Sequence, residues 1–139
     1  MQLKIYTDGG SRGNPGISGA GIHVEDQDKK IIFQQSLFLG KKTNNESEYL
    51  AFFSALEWLK TFTSPSIDKV SCFLDSKLVV EQINKRWKIK EDRLRKLALQ
   101  CWQILAVLPY SVEIKHVVRA KNEAADRLAN EAMDKAADN

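Results

Sequence analysis

The apolar residues of this chain first change their spacing between Leu39 and Tyr49, and that change narrows the folds open to it. Before it they recur every second residue. Leu3, Ile5 and Thr7 alternate with Lys4, Tyr6 and Asp8, and Ala20, Ile22 and Val24 alternate with Gly21, His23 and Glu25. Ile31 to Leu39 repeats the pattern after the polar turn Asp26–Lys30. A period of two marks strands, and short connections make three successive strands an antiparallel meander. The Gly/Pro/Ser-rich stretch from Gly9 to Gly19 is expected to be a loop.

Beyond the change, Tyr49, Phe52, Phe53, Leu56 and Leu59 recur at helical spacing between Asn45 and Ser64-Pro65. Lys69–Leu74 is a short strand, and Leu78, Val79 and Ile83 suggest a helix after Asp75-Ser76. A longer helix covers about Asp92 to Val107 and stops before Pro109. Val112 and Ile114, extended by Val117-Val118, give a last strand. Ala125, Leu128, Ala129, Ala132 and Ala136 line a final helix. The order is βββαβααβα. Helical crossovers make the later strands parallel to the first, which implies an α/β fold with a mixed five-stranded sheet flanked by helices. There is no internal repeat or interdomain linker, and 139 residues suit one domain, 1–139, with a real core.

Composition excludes more than it selects. An apolar share of 43% and a charged share of 28% are ordinary for a soluble protein. No apolar run approaches membrane-spanning length and Met1-Gln2-Leu3-Lys4 is no signal peptide, so a cytoplasmic location without membrane contact is expected. Cys72 and Cys101 are far apart, without a CxxC motif or clustered histidines, and read as buried free thiols. Nothing calls for a protein partner, so a monomer is expected. The net charge of +3 names no ligand, but Lys85, Arg86, Lys88, Lys90, Arg93, Arg95 and Lys96 crowd a short stretch around Trp87. Such a strip suits a phosphate backbone; the plain alternative is a solvated helix face.

Four acids carry the strongest chemical signal. Asp8 ends the first strand and Asp75 the fourth, while Glu48 and Asp126 fall in the opening turns of two helices. Strand ends and helix starts meet at one rim of an α/β sheet. Carboxylates brought that close repel unless divalent cations hold them, so the pattern points to metal-assisted chemistry. Each acid also has a structural reading. Asp8 before Gly9-Gly10 forms turns, Glu48 pairs with Asn45 in a capping box, Asp75 caps the helix near Ser76, and Asp126 favours its helix dipole. Their joint placement is harder to explain that way. His116 and Arg119 precede Asp126 closely enough for His116 to move protons at the site. His23, mid-strand, is assigned no function.

These residues also carry a resemblance. Tyr6 to Gly16 (YTDGGSRGNPG), Thr43 to Tyr49 (TNNESEY), Leu74 to Val79 (LDSKLV) and His116 to Ala129 (HVVRAKNEAADRLA) resemble, in order and across nearly the whole chain, the motifs of type 1 ribonuclease H of bacterial and archaeal kind. The resemblance implies a ribonuclease H fold and endonucleolytic cleavage of RNA in RNA–DNA hybrids, leaving 5′-phosphate and 3′-hydroxyl ends. It makes Asp8, Glu48, Asp75 and Asp126 the metal tetrad and His116 the mobile catalytic histidine. Asn14, Asn44 and Asn45 become strand contacts and Thr43 a DNA-phosphate contact. The sequence departs from many bacterial members by lacking a basic insertion after Trp87-Lys88-Ile89-Lys90, and it has no room for a separate N-terminal hybrid-binding domain.

The chemistry can be reasoned without the name. Phosphodiester hydrolysis requires activated water and a stabilised 3′-oxygen, and two Mg²⁺ ions on carboxylates supply both, with Mn²⁺ a substitute. Asp8 is expected to bridge the ions, with Asp75 and Glu48 completing one site and Asp126 the other. Arg119 is able to share the role of His116. Gly9 and Gly10 allow close backbone approach, and Asn14, Asn44 and Asn45 are placed to read a 2′-hydroxyl without reading bases. Ser76, Trp87, Lys88 and Lys90 extend the expected substrate surface. The rivals are a non-catalytic nucleic-acid module of the same fold and a superfamily nuclease acting on DNA.

Overall fold

A computed structural model describes residues 1–62 and 66–138. The Ser64-Pro65 boundary expected after the first helix lies outside the described residues. The elements are β1 (Gln2–Gly13), β2 (Gly16–Asp26), β3 (Ile31–Lys42), α1 (Asn44–Thr61), β4 (Lys69–Leu74), α2 (Lys77–Ile83), α3 (Asp92–Val107), β5 (Ser111–His116), a short 3-10 turn (Arg119–Lys121) and α4 (Glu123–Ala137). The strands form one sheet in the order β3-β2-β1-β4-β5. β1 runs antiparallel to β2 and parallel to β4, and β5 is parallel to β4. The mixed five-stranded sheet is as expected.

The stretch from Gly9 to Gly19 is not a loop. β1 and β2 stay paired from Leu3↔Asp26 to Gly13↔Gly16, leaving only Asn14 and a cis-linked Pro15 at the turn. Glycine and serine hid these strands because helices lie directly on their backbones, and no apolar alternation remains to be read. β3 likewise runs on to Lys42, whereas Val117 and Val118 fall outside β5.

Successive residues of a strand face opposite sides, and β1 uses both. Gly9 faces α1 and Gly10 faces Met133 of α4. On the α1 side, Leu3, Ile5, Ile22, Val24 and Leu74 pack with Tyr49, Phe52 and Leu56 of α1 and Leu94, Ala98 and Cys101 of α3. Each large apolar side chain buried there contributes about 1.5–3 kcal/mol. The fully buried Tyr49 donates its hydroxyl to Gln82 Oε1 at 2.7 Å. Cys72 and Cys101 are buried free thiols. His23 is buried too, between Glu25 and Gln34, which fits the structural role left to it.

The helix starts differ in detail from expectation. Thr43, not Asn45, caps α1, and its partner in the capping box is Glu46, not Glu48. The box thus sits earlier than expected, so Glu48 lies past it and points at the sheet. Ser76, not Asp75, caps α2 by accepting from Val79 N–H. α2 ends where Lys85 takes a left-handed φ of 62° and the N–H groups of Arg86 and Trp87 bond back to Glu81. The basic strip therefore starts on turns between α2 and α3, not on a helix face, and leaves Trp87 exposed.

Candidate active site

Thr7 of β1 lies opposite Leu74 of β4 in parallel register, so the next residues stand side by side: Asp8, still within β1, and Asp75, just past the end of β4. Glu48 reaches them from α1, and its Oε1 accepts from Gly9 N–H at 2.8 Å. Asp8, Glu48 and Asp75 each offer an oxygen within 4.8 Å of the others. Asp126, from the first turn of α4, joins them in lining an open cleft of about 480 Å³.

Two glycines set how closely these acids meet. A Cβ on Gly9 would lie 2.1 Å from the carbonyl oxygen of Ser47, the residue before Glu48. A Cβ on Gly21, which pairs with Asp8 across the hairpin, would lie 2.0 Å from the carbonyl of Ala125, the residue before Asp126. Both are closer than side chains tolerate. Helix backbones therefore rest on strand backbones on either side of Asp8, and each delivers an acid.

The electrostatics follow from that crowding. Burial pushes the Asp8 carboxyl from 3.8 up to about 7, and the neighbouring acids Asp75 and Asp126 add to the rise. Glu48 is pushed well above its ordinary value, first by burial and then by Asp8. Buried together, these two cannot both ionise without a compensating charge. The Oε2 of Glu48 is buried without a hydrogen-bond partner, an unmet acceptor in an all-carboxylate set. Hard oxygen donors, excess negative charge and an unsatisfied buried oxygen fit a divalent cation.

Beside the acids, the Asn14 and Thr43–Asn45 segments come together. Asn44 N–H donates to Asn14 Oδ1 and Asn44 Oδ1 accepts from Ser11 N–H, each at 3.0 Å. This joins the β1–β2 turn to the start of α1 along one end of the cleft.

The RNase H family model matches residues 1–134. The chain belongs to that family. It is 41% identical over 138 residues to the Bifunctional protein Rv2228c of Mycobacterium tuberculosis, covering 99% of this chain and 37% of that one. It is 37% identical to the Ribonuclease HI of Halobacterium salinarum, over 97% of this chain and 66% of that protein. The chain thus spans little more than a third of the mycobacterial relative. Among solved structures, LC11-RNase H1 from compost, determined in complex with RNA/DNA hybrid, superposes with a TM-score of 0.91 at 38% identity, covering 96% of this chain and 98% of that one. The relationship is to type 1 members.

Within this RNase H frame the remaining candidates fall into two groups. Gly9, Gly10, Asn44, Ser76 and Arg119 line the cleft with the acids, and the Arg119 guanidinium lies 3.4 Å from Asp126 Oδ1. His116 is the exposed last residue of β5 and does not line the cleft. Asn14, Thr43, Asn45, Trp87, Lys88 and Lys90 do not line it; Asn14 is bonded to the lining residue Asn44, and Thr43 and Asn45 flank that residue in the chain. Trp87 is 44% exposed with Lys77 5.9 Å over its ring, and Lys77 directly follows Ser76, so this surface adjoins the cleft. Of the other cations in the strip, Arg86 is held by Glu81, Arg95 by Asp92, and Lys85 lies over Trp102. Four lining residues were not singled out from sequence: Ser11, Arg12, Asn130 and Met133. Asn130 and Met133 sit four and seven residues after Asp126, a helical spacing that could have disclosed them. Arg12 joins them by bonding Asn130 and Asp134.

Proposed function

We propose that this chain is a metal-dependent endonuclease that hydrolyses the RNA strand of RNA–DNA hybrids, leaving 5′-phosphate and 3′-hydroxyl ends. The observation that carries the reading is the convergence of Asp8, Glu48 and Asp75 with Asp126 in a cleft open enough for a sugar–phosphate chain. Family membership and the relative solved with a hybrid support the substrate class.

In this reading Asp8, Glu48, Asp75 and Asp126 would together hold Mg²⁺, with Asp8 between the other acids; Mn²⁺ would substitute. Bound there, the ions supply an activated water and neutralise charge on the departing 3′-oxygen. The residues do the rest. The Gly9 amide bond orients Glu48 toward Asp8. Gly10, without a side chain, leaves the cleft floor low enough for a backbone to lie against it. Asn14, Asn44 and Asn45 read the 2′-hydroxyl, and their contacts ignore base identity. The Thr43 hydroxyl, which accepts from Glu46 N–H, keeps its own proton free for a phosphate oxygen. Trp87, Lys88 and Lys90, with Lys77, follow the DNA strand. Arg119, a permanent cation beside Asp126, is placed to stabilise charge as the bond breaks, whereas His116 serves from the rim as a proton carrier.

The test is incubation of the purified protein with labelled hybrid, duplex DNA and duplex RNA, with Mg²⁺ and with chelator. Cleavage is expected only in the hybrid, only in its RNA strand, and only with metal. Comparable cutting of duplex DNA would move the chain to a DNA-directed nuclease. Hybrid binding without cleavage under any divalent ion would make it a binding module.

A further inference from the structure

Asn122 belongs to the tail motif, yet the chemistry above gives it no part. It is buried, 1% exposed, at the N-cap of α4. An asparagine there ordinarily accepts from an N–H of the helix's first turn. This one makes no such bond. Its Nδ2 instead donates to the Thr7 carbonyl, 115 residues away, at 2.9 Å, and its Oδ1 is buried without a partner. A side chain that forgoes the cap and leaves a buried oxygen unmet is a poor choice for stability alone.

The bond does hold something specific. The Thr7–Asp8 peptide is planar, so fixing the Thr7 carbonyl fixes the direction in which the Asp8 Cα departs. The main chain of Asn122 reaches the other acid, because Asp126 N–H donates to Asn122 O at 3.0 Å. Two hydrogen bonds through one residue thus join the backbone of Asp8 to the backbone of Asp126. Contact between Ala125 and Gly21 sets how deep α4 lies on the sheet. The Asn122 bond sets how far the helix start slides along β1.

We infer that Asn122 is a positioning residue that fixes the separation of Asp8 and Asp126, beyond anchoring α4 to the sheet. The inference rests on the metal-dependent reading of the site. A second anchor of α4 provides the contrast: Ser36 Oγ donates to Leu128 O at 2.6 Å from β3 and touches the peptide of neither acid.

The experiment compares wild type, Asn122→Ala, Asn122→Asp and Ser36→Ala. Asn122→Asp keeps the shape but sets an acceptor against the Thr7 carbonyl. Two readouts are taken: the rise in Tm when MnCl2 is added to metal-free protein, and kcat and KM on a hybrid. Both Asn122 variants are expected to lose most of the metal-induced rise. Their kcat should fall on the order of 10²-fold, the cost of misplacing a group by about 1 Å, with KM little changed. Ser36→Ala should keep the metal-induced rise and kcat while losing some stability. Asn122 variants that match Ser36→Ala in both readouts would overturn the inference. So would failure of both Asn122 variants to fold, which would make the residue purely structural. A wild type that gains Tm with Mn²⁺ but leaves the hybrid intact would instead sink the proposed activity, and the Tm comparison would then decide on Asn122 alone.

Discussion

Asp8→Asn should make the metal-free protein more stable, by an amount that depends on pH. Asp8 is 7% exposed and its carboxyl is pushed from 3.8 to about 7, chiefly by burial. Between those values the unfolded chain has released its proton while the folded chain keeps it. Wild-type stability therefore falls as pH rises from about 4 to about 7 and stays low above that. At about 1.4 kcal/mol for each tenfold change in proton affinity, the loss is about 4 kcal/mol. Asparagine has no proton to release and escapes it. The gain should be near zero at pH 4 and approach about 4 kcal/mol at pH 8, or roughly 14 °C in Tm for a chain of this length. Glu48 is raised too, and removing the Asp8 charge relieves it in the same direction. The assay is thermal unfolding followed by circular dichroism, in EDTA from pH 4 to 8.5 and again with excess Mg²⁺. Added metal should narrow the gap, since wild type binds it more tightly than the variant. An Asp8→Asn protein no more stable than wild type at pH 8 in EDTA, or a gap equal at pH 4 and pH 8, would refute the reasoning.

The geometry sets further outcomes. Arg119→Ala should lower kcat by about 10²-fold, the size of one lost electrostatic donor, with a pH profile of unchanged shape. His116→Ala should cost less; kcat and KM of the two variants on a labelled hybrid check this. Lys88→Ala with Lys90→Ala should raise KM, and every phosphate left without its lysine should make the affinity–salt slope shallower by about 0.7–0.9 log units; hybrid titrations across a salt series check this, and superimposable curves would detach these lysines from the substrate. Thr43→Ala removes the α1 capping box and should cost about 1 kcal/mol in urea unfolding, where an unchanged midpoint would deny the cap its role.

The order of elements, the sheet and the pairing of Asp8 with Asp75 were legible because they follow from spacing. Apolar residues two or three-to-four apart choose the element, and a parallel β1–β4 pair places successive residues side by side. The Gly9–Gly19 hairpin was not legible, because its strands carry little but glycine and serine and local pattern cannot register helices packed on bare backbone. The cap of α1 was misplaced because Thr43, Asn44 and Asn45 are all competent caps and Asn45–Glu48 has the same spacing as the reciprocal Thr43–Glu46 box that forms. The basic strip looked helical by charge alone. The left-handed Lys85, one residue after the C-cap Asn84 and at a position glycine usually takes, ends α2 there. The cleft position of Arg119 relative to His116 depends on a three-residue 3-10 turn too short to leave a period in the sequence.

The backbone-on-backbone seating at Gly9 and Gly21 has a consequence for engineering. Across the interior between α1 and α3, elements stand apart on layers of side chains, and replacing Leu56 or Ile104 shifts a helix by whatever the new volume requires. At the cleft no such layer exists to swell or shrink. The spacing of the acids is thereby insulated from repacking of the interior. A thermostable version can be sought among the apolar core positions, with Gly9, Gly21 and Asn122 held constant as the datum from which the site's geometry is measured.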